Sequence, residues 1–481
     1  MFRAAMIAMS FVLPERCNGA WEEFMCSITF AASTARLERD WIPCPMLSLF
    51  KSRPVRRQNG PVPRQTICIV PILAPEFGGI HQYTITLLRA LSALKLPEQL
   101  SFVLLLRNGD EDLLPKDIPE QWRRLVINGP LDWRSSLNEA EARSIKCANE
   151  AKGATIRINH NKKLCEFLHE NQIDWLFLTA PVALGFEAGL PYIMPVHDLQ
   201  HRRESKFPEV SAEGQWHLRE YLYSHGIANA SYLLVDSIVG LEDVVELYGA
   251  DHNKCIVVPF APASPSSSNA TKLSDSCIAD DRDLPERFLF YPAKFWPHKN
   301  HCRIVEALWV ARRYGVDINV VFCGDNTSCG KTLETMNYVA GKLDVTSNIR
   351  ILGYISDEDV YSLYVKASGL VMPTFFGPTN TPVVEAWACD CPVLTSNIRG
   401  IREQVGTAAL LVDPYSVNSI AAGMIRLWSD NKLRRELIES GRDRLSHVVL
   451  EKFGLRVREL ILTMAQNSQD KAKSKKWRSM A

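Results

Sequence analysis

The sequence is notable first for what it does not contain. No apolar stretch approaches the ~20 residues that a membrane-spanning helix requires. Neither sign of charge is in excess: 55 Lys and Arg face 54 Asp and Glu, a formal net charge of +1, so nothing global points to nucleic acid. The three spaced glycines of the dinucleotide fingerprint are missing, which argues against a nicotinamide site. No Asp-x-Asp pair is placed to hold a cation, so neither a catalytic metal nor a cofactor is expected. No pair of carboxylates recommends itself for glycoside hydrolysis. The 13 cysteines follow no repeated spacing. Cys389 and Cys391, one residue apart, fall short of a zinc half-site and read as free thiols packed in a core.

A chain of 481 residues is too long for one ordinary core, and two domains of roughly 200 residues are expected. Apolar runs suited to buried parallel strands recur at Thr66–Val70, Ser101–Leu106, Leu125–Ile127, Trp175–Leu178, Tyr192–Val196, Tyr232–Val235 and Ile256–Pro259. Helical patterns separate several of them: His81–Leu96, Glu139–Ala151, Ile156–Asn171, Glu213–Ala230 and Ile238–Leu247. A second series follows, with strands at Phe288–Tyr291, Ile318–Cys323, Ile349–Leu352, Gly369–Met372, Pro392–Thr395 and Ala409–Val412. Its helices are expected at Asn300–Tyr314, Cys329–Leu343, Asp357–Ala367, Pro382–Ala388, Ile401–Val405 and Val417–Trp428. The fold class read from this alternation is α/β, with two Rossmann-like, doubly wound parallel-sheet domains facing a cleft. The domains are placed at 65–262 and 285–445. A Ser- and Asp-rich linker joins them at 263–284, a helix at 446–466 returns to the first domain, and a basic tail covers 467–481, disordered over Lys471–Arg478. Residues 1–64 are a poorly defined extension. Met1 to Leu13 has the outline of a short signal-peptide core, but a poorly packed extension, or a start placed too early, fits better. Its basic, Pro-rich end, Lys51–Arg64, reads as a solvated tether, with contact to an anionic membrane surface as the sharper alternative.

The chemistry concentrates in two stretches. Phe290–Asn300 places Lys294 and Lys299 five residues apart, just after a strand. Phe375–Glu385 is a turn-rich loop, Gly377-Pro-Thr379-Asn380-Thr381-Pro, running into a helix with Glu385 in its first turn. Cations, loop N–H groups and a helix N-terminus are the parts that hold a diphosphate. Gly78 and Gly79 make a turn between the first strand and the first helix, where backbone N–H groups can approach a ligand. His197 sits at the carboxyl end of its strand, where ligands of such sheets bind. Each feature has a plainer reading. The lysines could be solvated, the Gly-Gly turn a tight connection, His197 a loop cap, Glu385 a stabiliser of its own helix dipole, and Trp296 a packing residue. Arg202, Arg203 and Lys206 form a local basic patch, acceptor-binding or simply solvated.

With Lys294 and Lys299, the Glu385 loop and Asp413-Pro414 in that order, the sequence resembles glycosyltransferase family 4, which has the GT-B fold. The resemblance covers roughly residues 67–462 and is strongest over 290–414. Phe-Phe-Gly-Pro-Thr-Asn and Arg-Glu-Gln-Val-Gly bring it nearest the bacterial branch that makes surface polysaccharides, often mannosyltransferases. The resemblance implies that Lys294 and Lys299 grip the donor diphosphate and that Glu385 accepts hydrogen bonds from ribose hydroxyls. It implies that Pro378 to Thr381 cover the phosphates and the sugar, and that Gly78 and Gly79 form the N-domain glycine turn. By the same resemblance His197 would lie near the donor sugar, and Gly353 and Tyr354 would belong to the loop that packs on the base. The sequence departs from the family at two positions. Gly377 stands where the family has an acid that contacts the transferred sugar, with Asn380 as a substitute polar contact, and Lys294 stands for an arginine. The implied activity is retaining transfer of a hexose, mannose-like, from a GDP- or UDP-linked sugar to a saccharide or lipid-linked saccharide. The enzyme would be cytoplasmic, docking at the inner membrane face, with no catalytic metal. A non-transferring nucleotide-sugar binder and a GT-B nucleotide-sugar epimerase are the alternatives.

Overall fold

The computed structural model describes residues 64–127, 160–262, 284–325 and 331–478, with side chains to residue 466. All of these belong to one compact unit, Val62–Ala481. The N-terminal extension, the helix expected at Glu139–Ala151, the start of the one expected at Ile156 and nearly all of the interdomain linker lie outside the described residues.

Among the described residues, thirteen strands form two parallel sheets. The first contains β1 (Gln65–Val70), β2 (Leu100–Arg107), β3 (Arg123–Ile127), β4 (Trp175–Leu178), β5 (Tyr192–Val196), β6 (Tyr232–Val235) and β7 (Cys255–Val257) in the order 3-2-1-4-5-6-7. The second contains β8 (Leu289–Pro292), β9 (Val320–Cys323), β10 (Ile349–Ile351), β11 (Leu370–Met372), β12 (Val393–Ser396) and β13 (Leu410–Val412) in the order 10-9-8-11-12-13. The continuous apolar runs have a direct cause. Strands β4, β5, β9, β11 and β12 are buried at every position, because helices cover both faces of each sheet. The strand order reverses between β1 and β4 and again between β8 and β11, and that reversal opens a crevice beyond the strand ends.

Helices of seven residues or more are numbered in chain order. In the first half they are α1 (Gly79–Ala93), α2 (Lys162–Glu170), α3 (Gln215–Asn229) and α4 (Ile238–Tyr248). In the second they are α5 (His301–Arg313), α6 (Thr332–Lys342), α7 (Asp357–Lys366), α8 (Thr381–Ala388), α9 (Arg399–Val405), α10 (Val417–Ser429) and α11 (Asn431–His447). Side-chain caps fix several starts: Ser237 accepts from Gly240 N, Ser356 from Asp359 N, and Asp430 from Lys432 N and Leu433 N.

Helix α12 runs from Leu450 to Arg478. Phe453, Val457, Leu460, Ile461 and Met464 lie on one face at helical spacing, and all are buried in the core of the first sheet beside Leu87 and Leu91. Gly454 passes close to Ala90 and Leu94, and Arg456 donates to the Val257 carbonyl oxygen at 3.1 Å. The chain end thus straps across the N-terminal domain. The segment Lys471–Arg478, expected to be disordered, instead continues this helix; Lys and Gln favour helix where a packed segment has already nucleated it.

Candidate functional site

The loops that leave the carboxyl ends of β1, β5, β6, β8, β9 and β11 face one another across a cleft of about 1240 Å³. Its wall includes Lys294, Lys299, His197, Gly78, Gly79, Tyr354, Gly377, Thr379, Asn380, Thr381 and Glu385. Gly353 is not part of that wall. It takes φ +69° and its carbonyl accepts from Gly324 N at 2.8 Å, a hinge behind the surface that Tyr354 presents. Tyr354 itself is 67% exposed.

Two local devices aim the lysines. Lys294 follows β8 directly, and its Nζ reaches across to the Glu76 carbonyl oxygen at 2.6 Å, beside the Gly78 turn. Gly78 has φ +54°, and a Cβ there would lie 3.8 Å from the Lys294 Cε, so the two halves meet at this point. Lys299 ends a short 3-10 turn, Pro297–Lys299, whose direction is set by Asn300 in the left-handed region at φ 64°. The Asn300 amide donates to the carbonyls of Pro373 and Pro414, both at 2.8 Å, and the Tyr291 hydroxyl donates to the Lys299 carbonyl at 2.8 Å. Burial lowers the Lys299 ammonium to a pKa of about 8, against the pull of Glu209 and Asp198. It is therefore a poorly hydrated cation, charged at neutral pH.

The loop before α8 is held from three sides. Gln404 bonds both backbone groups of Asn380, accepting from its N–H and donating to its carbonyl at 2.9 Å each. Gly400 packs against Pro378 so closely that a Cβ would lie 2.3 Å from its carbonyl oxygen. Thr379 donates its hydroxyl to Asp236, which belongs to the first domain. Gly377 has φ +138°, a conformation open to glycine and strained for any side chain, and a Cβ would stand 3.2 Å from Asn380 Oδ1. The lack of an acid here is therefore built into the loop's path.

Glu385 departs from expectation in its position. Helix α8 begins at Thr381, so Glu385 lies beyond the first turn and its presence is not explained by the helix dipole. It accepts from the Tyr364 hydroxyl at 3.1 Å, and burial raises its carboxyl to a pKa of about 7. His197 combines both of its readings. Its Nε2 donates to the Thr179 carbonyl at 3.0 Å, its ring meets Tyr83 edge-on at 4.8 Å, and burial lowers its pKa, which leaves a neutral ring with Nδ1 as an acceptor. The basic patch is exposed, and each of its charges also has an acidic partner. Arg202 pairs with Glu220, Arg203 with Asp243 and Glu246, and Lys206 with Glu204, so these charges are satisfied within the fold.

Several residues escaped the sequence reading because only the folded chain gives them partners. Glu209 accepts from the backbone N–H of His298 at 2.9 Å and from its ring Nδ1, tying the first domain to the turn that carries Lys299. Glu403 accepts from Ile238 N at 2.7 Å and Val239 N at 3.0 Å, so an acid of the second domain caps α4 of the first. Phe207 and Val210 pack on Phe375 and Phe376 across the same divide. Asp236, at the end of β6, lines the cleft with its carboxyl raised by burial to a pKa of about 7. The available signal was its place at a strand's carboxyl end, the argument applied to His197.

Residues 280–444 match the family described as Glycosyl transferases group 1. An O-antigen chain mannosyltransferase B of Escherichia coli is 40% identical over 86 residues, which span 18% of this chain and 23% of that one. A D-inositol 3-phosphate glycosyltransferase of Corynebacterium glutamicum is 26% identical over 273 residues, 54% of this chain and 62% of the relative. The matched stretch is thus under two thirds of the length of either relative. Among solved structures, Anabaena HepE in complex with UDP and glucose superposes with a TM-score of 0.58 at 16% identity, over 83% of this chain and 100% of that one. The architecture is accordingly the GT-B fold, and residues 280–444, which carry Lys294, Lys299 and Glu385, match the Glycosyl transferases group 1 model.

Proposed function

We propose that this protein transfers a hexose, mannose-like, from a nucleotide-diphosphate sugar to a saccharide or lipid-linked saccharide, with retention at the anomeric carbon. The observation that carries the reading is the convergence of Lys294 and Lys299 on the cleft shared by the Thr379–Thr381 loop and the Gly78-Gly79 turn. A departing nucleoside diphosphate acquires negative charge as the bond from the anomeric carbon to phosphate oxygen breaks. Cations and N–H dipoles already aimed at that charge stabilise the transition state more than the ground state. In this reading Glu385 accepts hydrogen bonds from the ribose and Tyr354 flanks the base. No covalent nucleophile is assigned. The acceptor oxygen bonds the same face of the anomeric carbon, and its proton passes to the departing phosphate. The lysines supply the positive charge that the diphosphate requires. UDP in the Anabaena structure and mannose in the name of the Escherichia coli relative support a UDP or GDP donor and a mannose-like sugar. A lipid-linked acceptor would bring the protein to the inner membrane face by brief electrostatic docking from the cytoplasm. Among the described residues no helix is long and apolar enough to cross a membrane.

One observation favours a second reading, a binder that does not transfer: the glycine-only conformation at Gly377. A panel of UDP- and GDP-hexoses, read by thermal shift and by release of nucleotide with acceptor saccharides, separates the two. One donor class should stabilise the wild type, and turnover of Lys299→Ala should fall about 10²–10³-fold. Stabilisation without product supports the binder, and equal stabilisation of both proteins removes Lys299 from the site.

A further inference from the structure

The cleft holds polar groups that a diphosphate does not use. Asp236 is the clearest. Its carboxyl oxygens accept from two neutral hydroxyls, Ser237 Oγ at 3.0 Å and Thr379 Oγ1 across the cleft, and among the described residues no cation pairs with it. The neighbouring acids differ: Asp198 is paired with Arg219 at 2.9 Å, and Glu209 accepts from the backbone N–H and the ring of His298. A carboxylate repels phosphate oxygens but is a strong acceptor for hydroxyl donors. Four further groups on the same wall, His81, Tyr83, Glu209 and Asn380, each keep a buried polar atom without a protein partner among the described residues, and the Tyr83 hydroxyl and the Asn380 amide are donors. Tyr83 is 7% exposed, and its hydroxyl makes no hydrogen bond. Asn380 is 5% exposed, and its amide Nδ2 makes none, although Gln404 bonds both of its backbone groups. Buried donors without partners are uncommon in folded proteins, and a ligand is one of the few explanations for them. Tyr83 touches the His197 ring and lies within the field of Asp236, so the N-terminal groups form one neighbourhood. One acceptor between hydroxyls and two unused donors form a set suited to a polyol.

We propose that Asp236 and Tyr83 of the N-terminal domain, with Asn380 of the facing loop, read the hydroxyls of the transferred sugar, Asp236 accepting and the other two donating. Thr379 occupies with its own hydroxyl the place at Asp236 that a sugar hydroxyl takes when the donor binds. Sugar choice then lies partly in the first domain, opposite a loop whose Gly377 brings no side chain of its own. The proposal rests on the nucleotide-sugar reading above, and its test keeps the two apart.

The experiment compares each nucleoside diphosphate alone with its hexose conjugates by calorimetry, for wild type, Asp236→Asn and Tyr83→Phe. The difference between conjugate and nucleotide measures the sugar's own contribution, and the affinity for nucleotide alone reports that each variant is folded. Asp236→Asn should keep the nucleotide affinity and weaken the conjugate about 10- to 100-fold, the loss expected for a charge-assisted hydrogen bond. Tyr83→Phe should weaken it about 3- to 10-fold. Monodeoxy donors then distinguish contact from clasp. The wild type should be penalised for one missing hydroxyl, and Asp236→Asn should be indifferent to the same one. If Asp236→Asn retains the full sugar contribution, or is penalised by every monodeoxy donor as the wild type is, the proposal falls while the nucleotide-sugar reading stands. If no hexose adds affinity over its nucleotide in the wild type, both fall together.

Discussion

The residues that matter most are ionisable groups held away from water, and their chemistry follows from that. Lys299 has its pKa lowered to about 8 by burial, from an ordinary value near 10.5. Affinity for UDP or GDP should therefore decline as pH rises through about 8, more steeply than ionisation of the nucleotide explains, and Lys299→Met should flatten that decline in a calorimetric pH series. The same group affects folding in the opposite sense. Between about 8 and 10.5 the unfolded chain holds the proton that the folded chain has lost, so this residue's contribution to stability improves with pH there. Glu385 gives the complementary case. Its carboxyl, raised from 4.5 to about 7, resists ionisation in the fold, so its cost appears as pH rises from about 4.5 and is complete above about 7. Glu385→Gln should stabilise the protein at pH 8 by about 1–3 kcal/mol, leave it little changed at pH 4, and weaken nucleotide binding. Chemical denaturation at the two pH values, with and without UDP or GDP, checks this. Neither shift could be read from sequence, because both depend on how much water the closed cleft admits.

At the scale of elements, the strands were the most legible part. Apolar runs such as Tyr192–Val196 and Tyr232–Val235 are strands over those same residues, because a strand covered on both faces has no polar position to blur its limits. Helices with an apolar face, such as α1 and α10, were also visible. Helix α11 was not: it is polar along most of its length and docks through Leu437 and through Gly441, where a Cβ would lie 2.5 Å from the Trp387 ring. Its one local signal was Asp430, a capping residue after a break in the pattern. Helix α12 shows the converse, since its first half is specified by a packed face and its second half is helix by continuation. Ile461, fully buried in that face, anchors the strap. Ile461→Ala should cost about 2–5 kcal/mol, and the loss should appear as early exchange of α1 amides in hydrogen-exchange measurements, because α12 packs on α1.

At the scale of the molecule, the two sheets are joined by polar links that each domain would leave unsatisfied alone. Glu403 caps α4, Glu209 holds the His298 turn, and Arg399 pairs with Asp243 and Glu242. Glu403→Ala should leave two N–H groups of α4 without their partner and weaken closure by about 0.5–2 kcal/mol. A larger radius of gyration in solution scattering, restored by nucleotide sugar, is the expected outcome; an unchanged radius would show that the cap does not govern closure. The phrase Arg-Glu-Gln-Val-Gly could be noticed in the sequence, but not that its Glu serves the opposite domain and its Gln the Asn380 backbone.

The sequence by itself determined the two alternating α/β series, their strands and the cationic pair beside a turn-rich loop. Each of these is a local pattern of apolar period, turn chemistry and charge within a few dozen residues. Only the tertiary structure decided that Asp236 faces Thr379 and that Tyr83 and Asn380 keep unused hydrogen-bonding atoms on a common wall. Those outcomes depend on which groups meet across more than a hundred residues and on how much water remains between them, and no local pattern encodes either.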